Sequence, residues 1–132
     1  MQTQTFSKEE RLTSKKKIDL LFANGNGFNI YPLRAIWLFS PNQNENHPAQ
    51  ILISVPKKKI KKSVTRNLIK RRIREGYRKN KTELYSYLTK NNIHCTLALV
   101  YLASDIALYK EIEQKIILVI QRLESEYEKS IG

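Results

Sequence analysis

One short window of this chain holds most of its positive charge. Thirteen of the 24 Lys and Arg residues lie in residues 57–81 beside one of the 12 acids, so the window carries the same formal charge, +12, as the whole chain. Charges that serve solubility are dispersed over a surface. If this window forms a helix, like charges one turn apart repel each other by about 0.2–0.5 kcal/mol per pair. The window therefore needs a counter-charge in its working state, and it predicts contact with a polyanion.

Length and composition favour one small domain. The chain has 132 residues, of which 41% are apolar, enough for a core but short for two domains. We expect a single domain over residues 1–132 with a short flexible N-terminus and a C-terminal tail, residues 124–132, whose order the sequence leaves open. Cys95 has no partner for an internal disulfide, and His47 and His94 have no zinc-ligand spacing. No signal-peptide or bilayer-spanning run is visible, so we expect a cytoplasmic protein.

Apolar spacing and turn residues predict an α+β fold. Ser14 can cap a first helix that Gly25 and Gly27 would end, and Pro56 marks the end of a strand. Ser104 can cap the last helix. A further strand is expected near Tyr31 or in the first half of the sheet. The predicted elements are helix 15–24, strand 33–40, strand 50–55, helix 63–79, strand 93–101 and helix 105–128.

The basic window itself predicts an amphipathic helix. At about 100° per residue, Ile69, Ile73, Gly76 and Tyr77 share one face, which should pack on a sheet. Five polar side chains fall in a neighbouring sector of about 100°. We call them the basic stripe: Asn67, Lys70, Arg71, Arg74 and Arg78. Phosphates are the expected counter-charge, because displaced counterions drive such binding.

Other functions fit parts of this pattern. A charged helix can be solvated without any partner, but the balancing acids are missing here. A membrane-surface helix would need Trp or Phe on its apolar face. A DNA-binding helix-turn-helix needs two short helices joined by a tight turn, whereas a strand precedes this helix. A structural RNA-binding protein, such as a ribosomal protein or an RNA chaperone, stays open as the alternative function.

Residues 57–78, KKKIKKSVTRNLIKRRIREGYR, resemble the signature of the bacterial ribonuclease P protein component. In that family a strand and a lysine pair lead into a helix with Arg-Asn-Arg, Lys-Arg and a further Arg. The strand end corresponds to residues 53–58 here and the helix to residues 63–74. The resemblance extends over about residues 6 to 123. It implies an αβββαβα two-layer sandwich, like that of a ribosomal protein domain, with a left-handed parallel crossover.

The resemblance also implies a function. Ribonuclease P is the endoribonuclease that removes the 5′ leader of precursor tRNA, and its catalytic magnesium ions are held by the RNA subunit. The protein subunit would then have no catalytic residue, metal ligand or bound cofactor of its own. Its implied partners are the catalytic RNA and the 5′ leader, with no membrane. The residues implied to contact RNA are Lys57, Lys58, Lys59, Lys61, Lys62, Arg66, Asn67, Lys70, Arg71, Arg74 and Arg78.

A second surface, between the first helix and the open face of the sheet, receives the leader in the family. The matching positions are Ile18, Phe22, Arg34, Ile36, Ser54, Pro56 and Lys58. Ile18 and Ile36 are aliphatic where the family often has aromatic residues, which disfavours base stacking there. Phe22 fits a core position and a stacking position equally well. We expect Trp37, His94 and Cys95 to pack in the core.

The chain departs from the family motif at Leu68, where the family usually has Arg. Arg72, one helical turn on, occupies a commonly apolar position. We hypothesise that the cation has moved by one turn.

Overall fold

A computed structural model of the chain describes residues 6–42 and 47–131. Its elements are a 3-10 turn Lys8–Glu10, α1 Lys15–Asn24, β1 Asn26–Ile30, β2 Leu33–Pro41, β3 Ala49–Ser54, α2 Ser63–Lys90, β4 Ile93–Tyr101 and α3 Tyr109–Ile131. The α+β class and the αβββαβα order are confirmed. The additional strand expected in the first half of the sheet is β1.

The four strands form one sheet in the order β1-β2-β4-β3. The β1–β2 and β2–β4 pairs are antiparallel, while β3 and β4 are parallel. Helix α2 is therefore the crossover between two parallel neighbours. The left-handedness of this crossover stays a prediction. Across the sheet, Arg34 of β2 pairs with Val100 of β4, which pairs with Ser54 of β3.

Strand alternation sends side chains to two differently covered faces. Leu33, Trp37 and Leu97 belong to the main core with α2 and α3. Ile36 and Ala98, from alternate positions, pack with α1 in a smaller cluster. The sheet and the α2–α3 pair form the two main layers, and α1 crosses the remaining face. Trp37 is 6% exposed, which confirms its predicted core position.

The ends of α1 follow from its flanking residues. The Ser14 hydroxyl accepts a hydrogen bond from the Lys17 backbone N–H at 3.3 Å, as an N-cap does. At the other end, a Cβ on Gly25 would lie 2.3 Å from the Leu21 carbonyl oxygen. Only glycine permits that approach, so the predicted bounds of this helix are confirmed.

Helix α2 is eleven residues longer than its predicted end at Lys79. Leu84 and Leu88 continue the buried face set by Tyr77, and no Pro or Gly interrupts the segment. The helix ends at Asn91 and Asn92, where Asn92 takes the left-handed conformation with φ 56°.

Helix α3 begins four residues after the predicted start at Asp105. The Tyr101 hydroxyl donates to the Asp105 carbonyl at 2.7 Å and accepts from the Ala107 N–H at 2.9 Å, which holds this segment outside the helix. The first helical bond runs from Ile112 N–H to the Leu108 carbonyl. At its far end, α3 continues to Ile131, so the C-terminal tail, whose order the sequence leaves open, is helical up to that residue. Residues 1–5 of the expected flexible N-terminus lie outside the described residues.

Candidate RNA-binding surfaces

The lysine loop, residues 55–62, connects β3 to α2 and projects its cations into solvent. Val55 and Ile60 are each 5% exposed and fix the loop to the core. A turn between them is closed by hydrogen bonds from the Lys59 and Ile60 N–H groups to the Pro56 carbonyl, at 3.0 and 3.1 Å. The five exposed lysines of the loop are Lys57, Lys58, Lys59, Lys61 and Lys62.

The basic stripe lies along the first half of α2. The four apolar positions predicted to be buried, Ile69, Ile73, Gly76 and Tyr77, are all buried. Asn67 and Arg71 are exposed, while Lys70, Arg74 and Arg78 are half-buried beside the core face. Helix α2 also has no acidic residue in its first turn and no side-chain cap. The positive end of the helix dipole therefore adds to the potential of the lysine loop.

Three stripe cations lack a counter-ion. In residues 6–42 and 47–131, no carboxylate lies within 4.0 Å of the Lys70, Arg71 or Arg74 charged groups. Arg78 differs, because its guanidinium bonds Glu75 at 2.6 Å. Hydrogen bonds from Arg78 hold the pKa of the Glu75 carboxyl below its ordinary value. Arg78 is thus the stripe cation whose charge the fold already balances.

Other cations of the basic window are used inside the fold. The Arg66 Nη1 donates to the backbone carbonyls of Ile60 at 3.0 Å and Lys61 at 2.7 Å, so this side chain ties the lysine loop to α2. Its partners are neutral, so Arg66 keeps its full charge. Lys81 is 3% exposed and pairs with Glu10. The sequence had counted Lys81 in the positive window, but its charge is balanced in the core.

The seven predicted leader-binding residues lie on the α1 side of the sheet or at its edge. Ile18 and Ile36 are half-buried in the cluster under α1. Phe22 is 49% exposed, and Leu21 takes the fully buried position instead. The core alternative for Phe22 is therefore wrong, and its ring is free to contact a ligand.

Arg34 and Ser54 flank this apolar centre from β2 and β3, on either side of Val100. Both are half-buried. At about 4.8 Å between neighbouring strands, they are roughly 10 Å apart. Pro56 and Lys58 follow beyond the end of β3, so the lysine loop connects the predicted leader-binding surface to the helix that carries the basic stripe.

Comparison with known proteins shows the family of the chain. Residues 6–124 match the model of the family described as Ribonuclease P. The chain belongs to the ribonuclease P protein family. A related ribonuclease P protein component, from Porphyromonas gingivalis, is 32% identical over 108 residues, which cover 82% of this chain and 78% of the relative. Another, from Petrotoga mobilis, is 35% identical over 82 residues, covering 62% and 65%.

Solved ribonuclease P proteins share the fold at low sequence identity. The Staphylococcus aureus protein has a TM-score of 0.66 at 20% identity, covering 86% of this chain and 94% of that one. The Thermotoga maritima protein has a TM-score of 0.65 at 19% identity, with 86% and 96% covered.

In this member of the ribonuclease P family, the N-terminal segment is a feature that sequence analysis missed. The Leu12 N–H donates to the Ile51 carbonyl at 2.8 Å, which attaches the segment to the outer edge of β3. Glu10 accepts hydrogen bonds from Lys81 at 2.5 Å and from the Tyr85 hydroxyl at 2.7 Å. The segment brings Arg11 beside the stripe residues Lys70 and Arg74 at a shared surface hollow. Only a long-range pairing signal could have identified this neighbourhood.

The exchange of roles between Leu68 and Arg72 stays a prediction, with a new complication. The Arg72 Nη1 donates to the Ala107 carbonyl at 2.7 Å, so Arg72 also holds the segment before α3. Replacing Leu68→Arg together with Arg72→Leu should leave RNA affinity within about threefold, or 0.7 kcal/mol. Unfolding should become easier by about 1 kcal/mol, the usual net value of one hydrogen bond. A far larger loss of affinity in the folded double variant would rule the exchange out.

Proposed function

We propose that this chain binds the catalytic RNA of ribonuclease P through the basic stripe and the lysine loop, and the 5′ leader of precursor tRNA through the cleft under α1. As a ribonuclease P protein component it is a subunit of an endoribonuclease and serves tRNA 5′ processing. The observation that carries the proposal is the set of unbalanced cations, Lys70, Arg71 and Arg74, on one rigid helix. Rigid presentation favours a folded RNA of matching shape over any polyanion.

In this proposal the RNA supplies the hydrolytic metal. Magnesium ions held by the catalytic RNA would activate the attacking water, and the protein would orient the leader. Among the described residues, no group of three or more His, Cys, Asp or Glu side chains could hold a metal ion.

None of the helices in residues 6–42 and 47–131 is both long and apolar enough to span a bilayer. We place the chain in the cytoplasm as part of the proposal, because precursor tRNA is processed there.

The docking role can be tested by footprinting on a bacterial ribonuclease P RNA. Changing Arg66, Lys70 and Arg74 to Ala should abolish one discrete protected region. Three lost phosphate contacts should also lower the slope of log affinity against log salt by about 2 to 3. A matched control changes three exposed lysines outside the stripe, Lys90, Lys110 and Lys129, and should keep the footprint. Equal, uniform weakening by both triple variants would contradict specific docking.

An activity assay separates this function from that of a structural RNA-binding protein. At low magnesium, the wild-type protein should restore leader cleavage by the catalytic RNA, and the stripe variant should need a higher protein concentration. If a basic ribosomal protein restores cleavage equally well, the alternative function stands.

A further inference from the structure

Arg34 belongs to the predicted leader-binding surface, and the neighbouring strand β1 sets the position of its side chain. Its Nη1 donates to the Asn29 side-chain oxygen at 2.9 Å. Arg34 and Asn29 are direct partners in the β1–β2 register, and Gly27 is the next residue of β1 on the same face. A Cβ on Gly27 would lie 2.5 Å from the Arg34 Nη2 and 2.9 Å from its Cζ. The guanidinium therefore rests against the bare backbone of Gly27.

This arrangement fixes the guanidinium without balancing its charge. Asn29 is a neutral acceptor, and none of the ion pairs within residues 6–42 and 47–131 includes Arg34. One of five N–H donors is used, so the others are available to a ligand. Arg78 shows the contrast, because its guanidinium is neutralised by the Glu75 carboxylate. Arg34 is thus held in place and left fully charged.

We propose that Asn29 and Gly27 are positioning residues that hold Arg34 to bind a backbone phosphate of the RNA leader. This inference rests on the proposed function, because it takes the cleft under α1 as the leader site. The guanidinium fork matches two phosphate oxygens. Ile18 and Ile36, which pack in the cluster under α1, are aliphatic and offer apolar contact but no aromatic ring for stacking a base. A cation fixed beforehand loses less freedom on binding, which strengthens the contact.

The chain offers variants that move Arg34 without endangering the fold. Asn29→Ala removes the acceptor at an exposed position of an edge strand. Gly27→Ala places a methyl group against the tip of a flexible side chain, so the guanidinium is displaced while the backbone stays. Asn26→Ala is the matched control, because Asn26 is exposed on β1 but pairs with Trp37, on the other face.

The experiment measures precursor tRNA binding to the reconstituted holoenzyme, with the leader shortened one nucleotide at a time. Arg34→Ala should weaken binding about tenfold for leaders that reach the cleft and lower the salt slope by about 0.7, the value for one single-stranded contact. Asn29→Ala and Gly27→Ala should each weaken it about threefold, because the charge is kept but mispositioned. These losses should vanish for the shortest leaders and should not depend on base identity. Asn26→Ala should match wild type.

A double variant tests positioning directly. Once Arg34→Ala is present, adding Asn29→Ala should cause no further loss. A further loss in that background, or losses that persist without a leader, would overturn the positioning role. A dependence on base identity would overturn the phosphate contact. If Arg34→Ala weakens leader binding while Asn29→Ala and Gly27→Ala do not, the positioning role is wrong but the proposed leader site is supported. If Arg34→Ala, Phe22→Ala and Lys58→Ala all leave leader dependence unchanged, the proposed cleft itself fails.

Discussion

Replacing Lys81→Met should destabilise the fold severely, although Lys81 belongs to the positive window. The Lys81 Nζ lies 2.5 Å from the Glu10 Oε1, and their side chains are 4% and 3% exposed. Without Lys81 the Glu10 carboxylate stays buried with its charge unpaired. Removing one partner of a buried pair costs about 3–5 kcal/mol. For a domain of this size that corresponds to roughly 10–20 °C in Tm.

The pH dependence gives a second check on this reasoning. Burial alone would raise the pKa of the Glu10 carboxyl, but hydrogen bonds from Lys81, Ser7 and Tyr85 outweigh it and leave the pKa below its ordinary value. A lowered folded-state pKa means that the buried pair contributes stability above the unfolded value, about 4.3, and that this stability is lost as the pH falls through the folded-state pKa. In Lys81→Met, the desolvated carboxyl should instead take up a proton readily. The gap between variant and wild type should therefore shrink toward pH 4.

Urea unfolding followed by circular dichroism measures these effects at pH 7. Lys79→Met is the control, because Lys79 is about half exposed and lies 4.0 Å from Glu75; its effect should stay within about 0.5 kcal/mol. Adding Glu10→Gln to Lys81→Met removes the orphaned charge and should recover about 1–3 kcal/mol. A loss below about 1 kcal/mol in Lys81→Met, or no recovery in the double variant, would refute the argument.

Three further predictions concern the core and the α2–α3 contact. Burial and the nearby Glu83 carboxyl raise the pKa of Glu124 to about 7. The protonated Glu124 carboxyl is therefore favoured in the fold, and this contribution to stability is lost as the pH rises through about 7. Glu83→Gln should accordingly raise Tm at pH 8 more than at pH 5. A Cβ on Gly76 would lie 2.8 Å from the Ile116 Cδ1, so Gly76→Ala should lower the free energy of urea unfolding by about 1–3 kcal/mol. Adding Ile116→Val removes that methyl group and should recover most of the loss. A double variant no more stable than Gly76→Ala alone would argue against this clash. Burial raises the pKa of the Cys95 thiol to about 12, so Cys95 should react with a thiol reagent only as fast as the protein unfolds, and rapid reaction of the native protein would contradict its burial.

Local periodicity was sufficient to predict the elements that carry the candidate site. The stripe helix was placed because its four apolar positions recur at helical spacing, and all four are buried. Strands 93–101 and 33–40 were found from their apolar β-formers and differ from the structure by at most one residue. Caps and breakers close to one element, such as Ser14 and Gly25, gave the bounds of α1 correctly.

What the sequence did not reveal depends on contacts between distant residues. Lys81 looks like any exposed lysine until Glu10, 71 residues away, is placed beside it. Leu21 and Phe22 are adjacent apolar residues, and which one is buried depends on how α1 is rotated on the sheet. The start of α3 is displaced by the Tyr101 hydroxyl, an interaction that no helix-capping pattern contains. The support of Arg34 by β1 needed the strand register.

The lysine loop has a consequence for the geometry of the whole assembly. It leaves the strand that borders the cleft and enters the helix that carries the stripe within eight residues, and Val55 and Ile60 anchor it along the way. The spacing between the two proposed RNA-binding surfaces is therefore set by the length of this loop and by its two buried anchors. Inserting residues into the lysine loop should therefore change the spacing between the leader-binding surface and the basic stripe while keeping every residue of both surfaces.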